Sequence, residues 1–264
     1  MKYYGGCDVG STYTKAVILD ETGKICADTT IRSKINSETS AKLAMEEVLN
    51  KVGLKSSQDL AYLIGTGYGR NKVPFADENI SEISCHAMGV HVTDPSVKAI
   101  IDIGGQDVKG ISIDTDGTVK NFAMNDKCAA GTGRFYEAMA RSFEMSLPEF
   151  SNLSLTAKNV IPITAQCTVF AESEVISLIA NDTDKADIAH GVHEAIAGKA
   201  CSLLRRVKPE PVYMMTGGVA KNLGVVEAVE AALGEALYIC DEPEIVGAVG
   251  AALIGLESLE GAQA

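Results

Sequence analysis

The chain has 264 residues, of which 46% are hydrophobic, and carries a formal net charge of −12. This length fits one large domain or two of ordinary size, and the apolar content is sufficient for a full core. The net negative charge argues against nucleic acid as a partner, because phosphate contacts need a basic surface. The sequence has no apolar signal segment and no apolar run near the ~18 residues of a membrane span, so we expect a cytoplasmic protein without a membrane partner.

The first predicted strand, residues 3–9, runs into the turn Asp8-Val-Gly-Ser-Thr-Tyr-Thr-Lys15, and residues 16–19 return as a second strand. This turn combines backbone N–H groups, hydroxyls and an ammonium, which together suit the β- and γ-phosphates of a nucleotide. It is not a Walker A loop, because the GxxxxGK spacing is missing and a strand follows where a helix should. The candidate phosphate ligands in this turn are Ser11, Thr12, Thr14 and Lys15.

The next elements are a predicted amphipathic helix over 39–52 and a strand over 61–64. The strand is followed by Gly65-Thr-Gly-Tyr-Gly-Arg70. Glycines at this density serve either a plain loop that needs positive φ angles or a loop that holds a ligand, and the residues leave both interpretations open.

A second apolar strand, residues 99–103, ends at Gly104 and Gly105. Backbone can approach a phosphate closely where Cβ is missing, so this ending indicates a second phosphate-holding turn. A strand over 108–114 then leads to an Asp-Gly hairpin turn at 116–117.

The two strand-turn-strand segments are copies of each other at an offset of 94 positions. The offset places five polar or glycine residues on identical residues without a gap, and four apolar positions also match. An internal repeat of this kind predicts two similar subdomains. The identical pairs are Asp8 with Asp102, Gly10 with Gly104, Lys15 with Lys109, Asp20 with Asp114, and Gly23 with Gly117.

Two of the seven cysteines stand out by their position. Cys128 leads through a glycine-rich segment into a predicted helix over 135–143, and Cys167 precedes a predicted helix over 169–179. A thiolate at a helix N-terminus is stabilised by exposed N–H groups and the macrodipole, so each can be a metal ligand or a reactive thiol. The other cysteines lie in apolar patterns and are expected to be packed in the core, with Cys85 the least certain of them.

The last third of the chain predicts a long helix over 184–207, with His190 and His193 at its surface. A third apolar strand, residues 211–215, ends in Thr216-Gly-Gly and opens onto a helix near Val225. Such a turn suits the adenosine half of a nucleotide, because a helix N-terminus and bare backbone pack well against ribose and α-phosphate. A closing helix over 244–256 is rich in small residues.

The three glycine turns, in this order, resemble the nucleotide site of the acetate and sugar kinase, heat-shock chaperone and actin superfamily. Within it, the segments 102–109 and 125–134, together with Cys167, resemble the activators of 2-hydroxyacyl-CoA dehydratases. These belong to the BadF/BadG/BcrA/BcrD-type ATPases, which include the ATPase subunits of benzoyl-CoA reductase. The resemblance implies an α/β fold of two duplicated actin-like (ribonuclease H-like) domains with a nucleotide cleft between them. We place domain I at 1–97 plus 243–264, and domain II at 98–242.

The resemblance also implies an activity, namely ATP-dependent transfer of one electron from reduced ferredoxin or flavodoxin to a 2-hydroxyacyl-CoA dehydratase. The electron would pass through a [4Fe–4S] cluster at a homodimer interface, to which each chain gives Cys128 and Cys167. Asp8 and Asp102 would hold Mg²⁺ through water, and Gln106 would orient the attacking water where sugar kinases carry an acidic base. The residues implied to bind ATP or ADP are Ser11, Thr12, Thr14, Lys15, Gly104, Gly105, Gln106, Asp107, Gly133, Gly217, Gly218, Asn222 and Glu244.

Three alternatives share this fold. An ATPase subunit of a benzoyl-CoA reductase type complex would use the same residues within a heteromer. A small-molecule kinase, such as a sugar kinase, accounts for the three turns but leaves Cys128 and Cys167 without a role and lacks a base at Gln106. A nucleotide-dependent scaffold like actin would form filaments and likewise has no use for the two cysteines.

Overall fold

The computed structural model of the protein describes residues 1–164 and 166–261. Its contacts divide the chain into two compact units. Unit 1 holds Met1–Ser96, Ile113–Val119 and the described part of Glu244–Ala264. Unit 2 holds Val97–Ser112 and Lys120–Pro243.

Strands and helices are numbered in chain order. The strands are β1 (Tyr3–Val9), β2 (Tyr13–Asp20), β3 (Ile25–Arg32), β4 (Tyr62–Thr66), β5 (Glu78–Asn79), β6 (Ala99–Ile103), β7 (Val108–Ile113), β8 (Val119–Asn125), β9 (Tyr213–Thr216) and β10 (Leu237–Tyr238). The helices are α1 (Ser37–Lys51), α2 (Glu82–Thr93), α3 (Gly133–Ser142), α4 (Leu147–Ser154), α5 (Thr168–Ala180), α6 (Lys185–Arg206), α7 (Leu223–Leu233) and α8 (Val246–Gly261). Among the described residues, no helix combines the length and the apolar character that crossing a membrane requires.

The hairpin turn between β7 and β8 bears on the predicted domain boundaries, which stay a prediction. Residues 113–119, placed in domain II from the sequence, group with unit 1. Gly117 has a φ of +79° and lies so close to α2 that a Cβ there would be 2.7 Å from Cγ of His91. Residues 262–264 of the predicted domain I lie outside the described residues.

Unit 1 is built on a five-stranded mixed sheet in the order β3-β2-β1-β4-β5. β1 pairs antiparallel with β2 and parallel with β4, so the carboxyl ends of β1 and β4 lie side by side. Alternate residues of a strand point to opposite faces. On β2, Ile18 belongs to the buried cluster that includes α1, whereas Val17 and Leu19 pack with α8. The two helices therefore cover opposite faces of the sheet.

Unit 2 is built on a second five-stranded mixed sheet in the order β10-β9-β6-β7-β8. β6 pairs antiparallel with β7 and parallel with β9, which sets the carboxyl ends of β6 and β9 next to each other. Its core includes the fully buried side chains of Phe135, Tyr136 and Phe150. The predicted α/β class with two duplicated units is confirmed by these two sheets.

The two sheets repeat one arrangement in the same register. In unit 1 the β1–β2 ladder pairs Asp8 with Lys15, and in unit 2 the β6–β7 ladder pairs Asp102 with Lys109. Each lysine therefore lies across the ladder from the aspartate at the end of the preceding strand. This shared register is the structural form of the 94-residue repeat.

His193 on α6 is fully buried, so its predicted surface position is wrong. Its ring packs on Tyr136 and Phe150, with centroid distances of 5.2 and 5.3 Å. Neither ring nitrogen has a hydrogen-bond partner among the described residues. Burial, with a smaller contribution from His190, lowers the pKa of His193 to about 3. Helical periodicity alone could not reveal this, because α4 and α7 cover a face of α6 that the sequence left polar.

We predict that His193→Leu makes the protein less sensitive to acid. Because the folded-state pKa lies below the unfolded value of about 6.5, the unfolded chain takes up the proton first as the pH falls. The stability from neutral His193 is therefore complete above pH ~6.5 and declines as the pH falls toward ~3, by about 1.4 kcal/mol at pH 5.5.

Thermal unfolding midpoints at pH 7.5 and pH 5.5 check this prediction. Wild type should lose about 3–5 °C more than His193→Leu between the two pH values. His190→Leu, on the same helix but part-exposed, is the matched control and should behave like wild type. Equal acid sensitivity of wild type and His193→Leu would contradict the prediction.

Candidate functional site

The turn after β1 is held in shape by its own backbone and by a serine that arrives from β3. The Gly10 N–H donates to the carbonyl of Tyr13 at 3.1 Å. Ser33 Oγ donates to the carbonyl of Gly10 at 2.8 Å and lies 2.9 Å from Thr14 Oγ1. Thr14 is fully buried, so its hydroxyl stabilises the turn from within, and its predicted phosphate contact stays a prediction.

Thr12 presents a different hydroxyl in the same turn. Its residue is 5% exposed, and its Oγ1 has no hydrogen-bond partner among the described residues. A buried hydroxyl without a partner costs about 1–3 kcal/mol, so such groups generally serve a ligand or an ordered water. Ser11 next to it is half-buried. These two residues are the parts of the turn that best fit an added phosphate.

Asp8 and Lys15 form an ion pair at the carboxyl end of β1, with Lys15 Nζ 2.9 Å from Asp8 Oδ2. The neighbouring strand β4 ends at Gly67, where a Cβ would lie 2.3 Å from Asp8 Oδ1. Only glycine therefore allows the β4 loop to approach this carboxylate. Arg70 fixes the same loop, because its Nη1 donates to the Gly67 carbonyl at 3.0 Å and to Glu82 Oε2 at 2.8 Å.

The matching pair in unit 2 is buried more deeply. Lys109 Nζ lies 2.9 Å from Asp102 Oδ2 and 2.9 Å from Asp107 Oδ1, and the other Asp102 oxygen accepts from Thr216 Oγ1 at 3.0 Å. Burial alone would lower the pKa of Lys109, but attraction to the two carboxylates outweighs it and raises the pKa. Lys109 thus stays charged and fixes the conformation of the turn that follows β6.

Three glycine segments of unit 2 meet at the carboxyl ends of β6 and β9. A Cβ on Gly133 would lie 3.1 Å from the Gly104 carbonyl oxygen and 3.3 Å from Gly105 Cα. A Cβ on Gly217, at a φ of +85°, would lie 2.4 Å from the Ile103 carbonyl oxygen. Gly218 differs, because no described atom would come within 4 Å of a Cβ there. Missing side chains therefore bring the backbone segments together and leave space beside Gly218.

Gln106, the predicted water-orienting residue, lies against the first turn of α3. With its amide oxygen turned toward Arg134, that oxygen accepts from Nη1 at 2.9 Å, from Nε at 3.0 Å and from Nη2 at 3.2 Å. The opposite amide orientation would set N–H donors against N–H donors. The Gly133 and Arg134 N–H groups donate to the carbonyls of Gly104 and Gly105, each at 2.9 Å.

Asn222 and Glu244, predicted near the adenosine, lie in different units. Asn222 is buried just before α7, and its Nδ2 donates to the carbonyl of Val219 at 3.1 Å. This contact stabilises the turn that contains Gly218. Glu244 is half-buried at the end of unit 1 from which α8 begins.

Cys128 and Cys167 are brought close together in unit 2 by two separate segments. Cys128 Sγ lies 3.8 Å from the carbonyl oxygen of Gln166, the residue before Cys167. Both cysteines are half-buried, and Cys167 is the N-cap residue of α5. Cys128 lies five residues before α3 instead, in a turn where its carbonyl accepts from Asn125 Nδ2 at 2.9 Å.

The other cysteines differ in environment. Cys7, Cys85 and Cys201 are buried, as expected, and burial raises the pKa of all three thiols, that of Cys85 to about 12. Cys26 is exposed, contrary to the expectation of core packing, because it points outward from β3. No group of three or more His, Cys, Asp or Glu in the described residues could hold a metal ion. One chain thus supplies at most a pair of accessible neighbouring thiols.

Sequence reasoning missed the residues that hold the predicted ligands in place. Their residue types are ordinary and their partners lie far along the chain, so no local pattern marks them. The signal that could have drawn attention to two of them is the glycine-rich segment 65–70. The missed residues are Ser33, Gly67, Arg70, Glu82, Arg134 and Thr216.

Comparison with known proteins gives a consistent result. The family model described as "BadF/BadG/BcrA/BcrD ATPase family" matches residues 6–255. The activator of lactoyl-CoA dehydratase from Anaerotignum propionicum is 46% identical over 258 residues, covering 98% of this chain and 99% of the relative.

Solved structures agree with this match. The activator of the 2-hydroxyisocaproyl-CoA dehydratase from Clostridium difficile, solved with bound ADPNP, superimposes with a TM-score of 0.93 at 41% identity, covering 99% of this chain and 97% of that one. A ROK family glucokinase from Streptomyces griseus shares the fold alone, with a TM-score of 0.61 at 14% identity and coverage of 97% and 99%. The chain belongs to the BadF/BadG/BcrA/BcrD ATPase family.

Proposed function

We propose that this protein is an ATP-dependent activator of a 2-hydroxyacyl-CoA dehydratase. The observation that carries the proposal is the end-to-end 46% identity with an activator of lactoyl-CoA dehydratase, together with the neighbouring half-buried thiols of Cys128 and Cys167. The same two thiols would be idle in a sugar kinase. We place the protein in the cytoplasm, as the sequence predicts.

ATP would be held by turns from both units. In unit 1 the unpartnered hydroxyl of Thr12 supports a phosphate contact, with Ser11 and Lys15 beside it. In unit 2 the backbone around Gly104 and Gly105 would approach a phosphate, and the space beside Gly218 suits the nucleoside. The remaining proposed contacts are those of Thr14, Gln106, Asp107, Gly133, Gly217, Asn222 and Glu244.

Mg²⁺ would be held through water by Asp8 and Asp102. Each of these carboxylates already accepts from its own lysine at 2.9 Å, so direct coordination would compete with a buried or half-buried ammonium. Mg²⁺ keeps several waters when it binds and needs few carboxylates, so outer-sphere contacts fit this donor set. Gln106 would orient the attacking water but cannot accept its proton, so we expect slow hydrolysis.

The two thiols fit half of an iron–sulfur site. A [4Fe–4S] cluster is held by four cysteine thiolates, and one chain supplies Cys128 and Cys167 as neighbours. Two copies related by a two-fold axis would supply four, which supports a homodimer. When bound, such a cluster carries one electron at a time. The first turn of α5, which begins right after Cys167, would stabilise negative charge there.

The partners follow from this assignment. Reduced ferredoxin or flavodoxin would be the electron donor, and the dehydratase would be the acceptor. Raising the energy of one electron by 100 mV needs about 2.3 kcal/mol, which a change in protein conformation driven by ATP can supply. A free-standing activator is favoured over a subunit of a benzoyl-CoA reductase type complex, because the matched relative named an activator is covered over 99% of its length.

We predict that Thr12→Val weakens ATP use without weakening the fold. A hydrogen bond from a hydroxyl to a charged phosphate contributes about 1.5–3 kcal/mol, so KM for ATP should rise about tenfold or more. The hydroxyl has no partner in the folded chain, so the thermal midpoint should not fall.

Thr14→Val is the matched control for Thr12→Val, since it removes the same atom from the same turn. It breaks a buried contact with Ser33 Oγ, so it should lower stability by about 1 kcal/mol and change KM less. Steady-state ATPase assays and thermal unfolding check both variants. An unchanged KM in Thr12→Val would exclude its phosphate contact.

We predict about four irons per dimer in protein purified without oxygen, with an equal amount of acid-labile sulfide. Cys128→Ser and Cys167→Ser should each lose this iron, whereas Cys26→Ser, at an exposed position on β3, should keep it. Iron, sulfide and dimer mass are measured on the same samples. Iron-free wild-type protein from strictly anaerobic preparations would refute the cluster.

The proposed function itself is tested by reconstitution with a dehydratase. With ATP and reduced ferredoxin or flavodoxin, wild type should switch on formation of enoyl-CoA from 2-hydroxyacyl-CoA, and ADP should not replace ATP. Cys128→Ser should hydrolyse ATP yet fail to activate. Transfer of phosphate from ATP to a sugar in a substrate screen, without activation of any dehydratase, would instead establish a kinase.

A further inference from the structure

Three contacts join the turn after β6 to the first residues of α3. The N–H groups of Gly133 and Arg134 donate to the carbonyls of Gly104 and Gly105, each at 2.9 Å. The guanidinium of Arg134 donates to the amide oxygen of Gln106, with Nη1 at 2.9 Å and Nε at 3.0 Å. The turn and the helix therefore meet through both backbone and side chains.

The beginning of α3 depends on this turn for its capping. The first N–H groups of a helix lack partners within the helix and are commonly satisfied by the side chain of the N-cap residue. Thr132, the N-cap residue here, makes no such side-chain bond. The carbonyls of Gly104 and Gly105 take its place, so α3 is capped by the proposed phosphate turn.

We propose that Arg134 is a positioning residue that holds Gln106 for ATP hydrolysis and ties the nucleotide turn to the segment that carries Cys128. The inference rests on the proposed function and deepens it. Arg134 is itself exposed, so core packing does not force its side chain onto Gln106. The guanidinium offers several donors in a rigid plane, and it stays charged at any physiological pH.

Holding Gln106 matters because an unrestrained glutamine samples many rotamers. Ordering such a side chain costs up to about 1.5–2 kcal/mol of conformational entropy, and hydrogen bonds to its oxygen offset that cost before ATP arrives. With the oxygen held by Arg134, the amide N–H groups remain to face a phosphate or a water. Arg134 acts on hydrolysis through Gln106 in this scheme and does not touch the nucleotide.

The link continues from α3 to Cys128 through a compact turn. Thr132 donates both its N–H, at 3.0 Å, and its hydroxyl to the carbonyl of Ala129. Asn125 holds the carbonyl of Cys128 on the other side at 2.9 Å. A displacement of Gly104 and Gly105 would therefore be passed to the segment 128–132 through the first residues of α3.

A double-mutant cycle tests the positioning role. Arg134→Gln should lower kcat for ATP hydrolysis about tenfold and leave KM within about threefold, because misplacing a catalytic group by a fraction of an ångström slows the chemical step. In a Gln106→Ala background the same substitution should change kcat less than twofold, since its target is gone. Arg134→Lys should recover part of the activity. Arg141→Gln, at the other end of α3, is the matched control and should behave like wild type.

Hydrogen–deuterium exchange tests the link to Cys128 without using electron transfer. In wild type, exchange across residues 128–134 should differ between the complexes with ADP and with ADPNP. In Arg134→Gln the difference should be lost although both nucleotides still bind. Arg141→Gln should keep it.

Four results would overturn the inference. One is unchanged kcat in Arg134→Gln, and another is an equal loss of kcat in the Gln106→Ala background. A third is a large rise in KM, which would make Arg134 a direct phosphate ligand. The fourth is an exchange difference that is absent from wild type or preserved in Arg134→Gln. Failure of the proposed function is distinct, since wild type would then not hydrolyse ATP.

Discussion

A lysine ammonium buried between two carboxylates is the constraint on which unit 2 depends. Removing an ion from water costs several kcal/mol, so Lys109 is tolerable only with Asp102 and Asp107 both within hydrogen-bond distance. That requirement fixes the turn between the two aspartates, and it excludes a side chain at Gly104, where a Cβ would lie 2.3 Å from Asp107 Oδ1. The carbonyls of this turn then cap α3, and the segment of Cys128 precedes that helix. Electrostatics at one lysine is therefore connected, contact by contact, to the placement of a thiol.

Features encoded by neighbours in the chain could be predicted from the sequence. The aspartate at the end of β1, the glycine of the turn and the lysine of β2 lie within eight residues, and the same pattern recurs from Asp102 to Lys109. Because strand pairing in a tight hairpin follows from turn length, the repeat also determined the register. The same locality explains why the beginnings of α3 and α5 were predicted within about two residues.

Features that depend on distant partners could not be predicted. Ser33 supports Gly10 across 23 positions, and Cys128 meets Gln166 across 38. His193 looked exposed because its neighbours on α6 are polar, whereas α4 and α7 cover it in the folded chain. Gln106 was identified as a candidate from resemblance alone, and its partner Arg134 carried no signal, since an arginine in the first turn of a helix is ordinary. Each of these contacts requires knowing which elements pack together.

Gly218 separates the evolution of ligand selectivity from that of stability. Most glycines around it are required by the fold, since a methyl at Gly133 or Gly217 would run into backbone. At Gly218 a methyl would meet no described atom within 4 Å, so larger residues could be tried there without repacking the core. A lineage can thus narrow the space for a nucleoside by single substitutions while the surrounding turn keeps its shape. Nucleotide preference in such a chain is free to drift on its own.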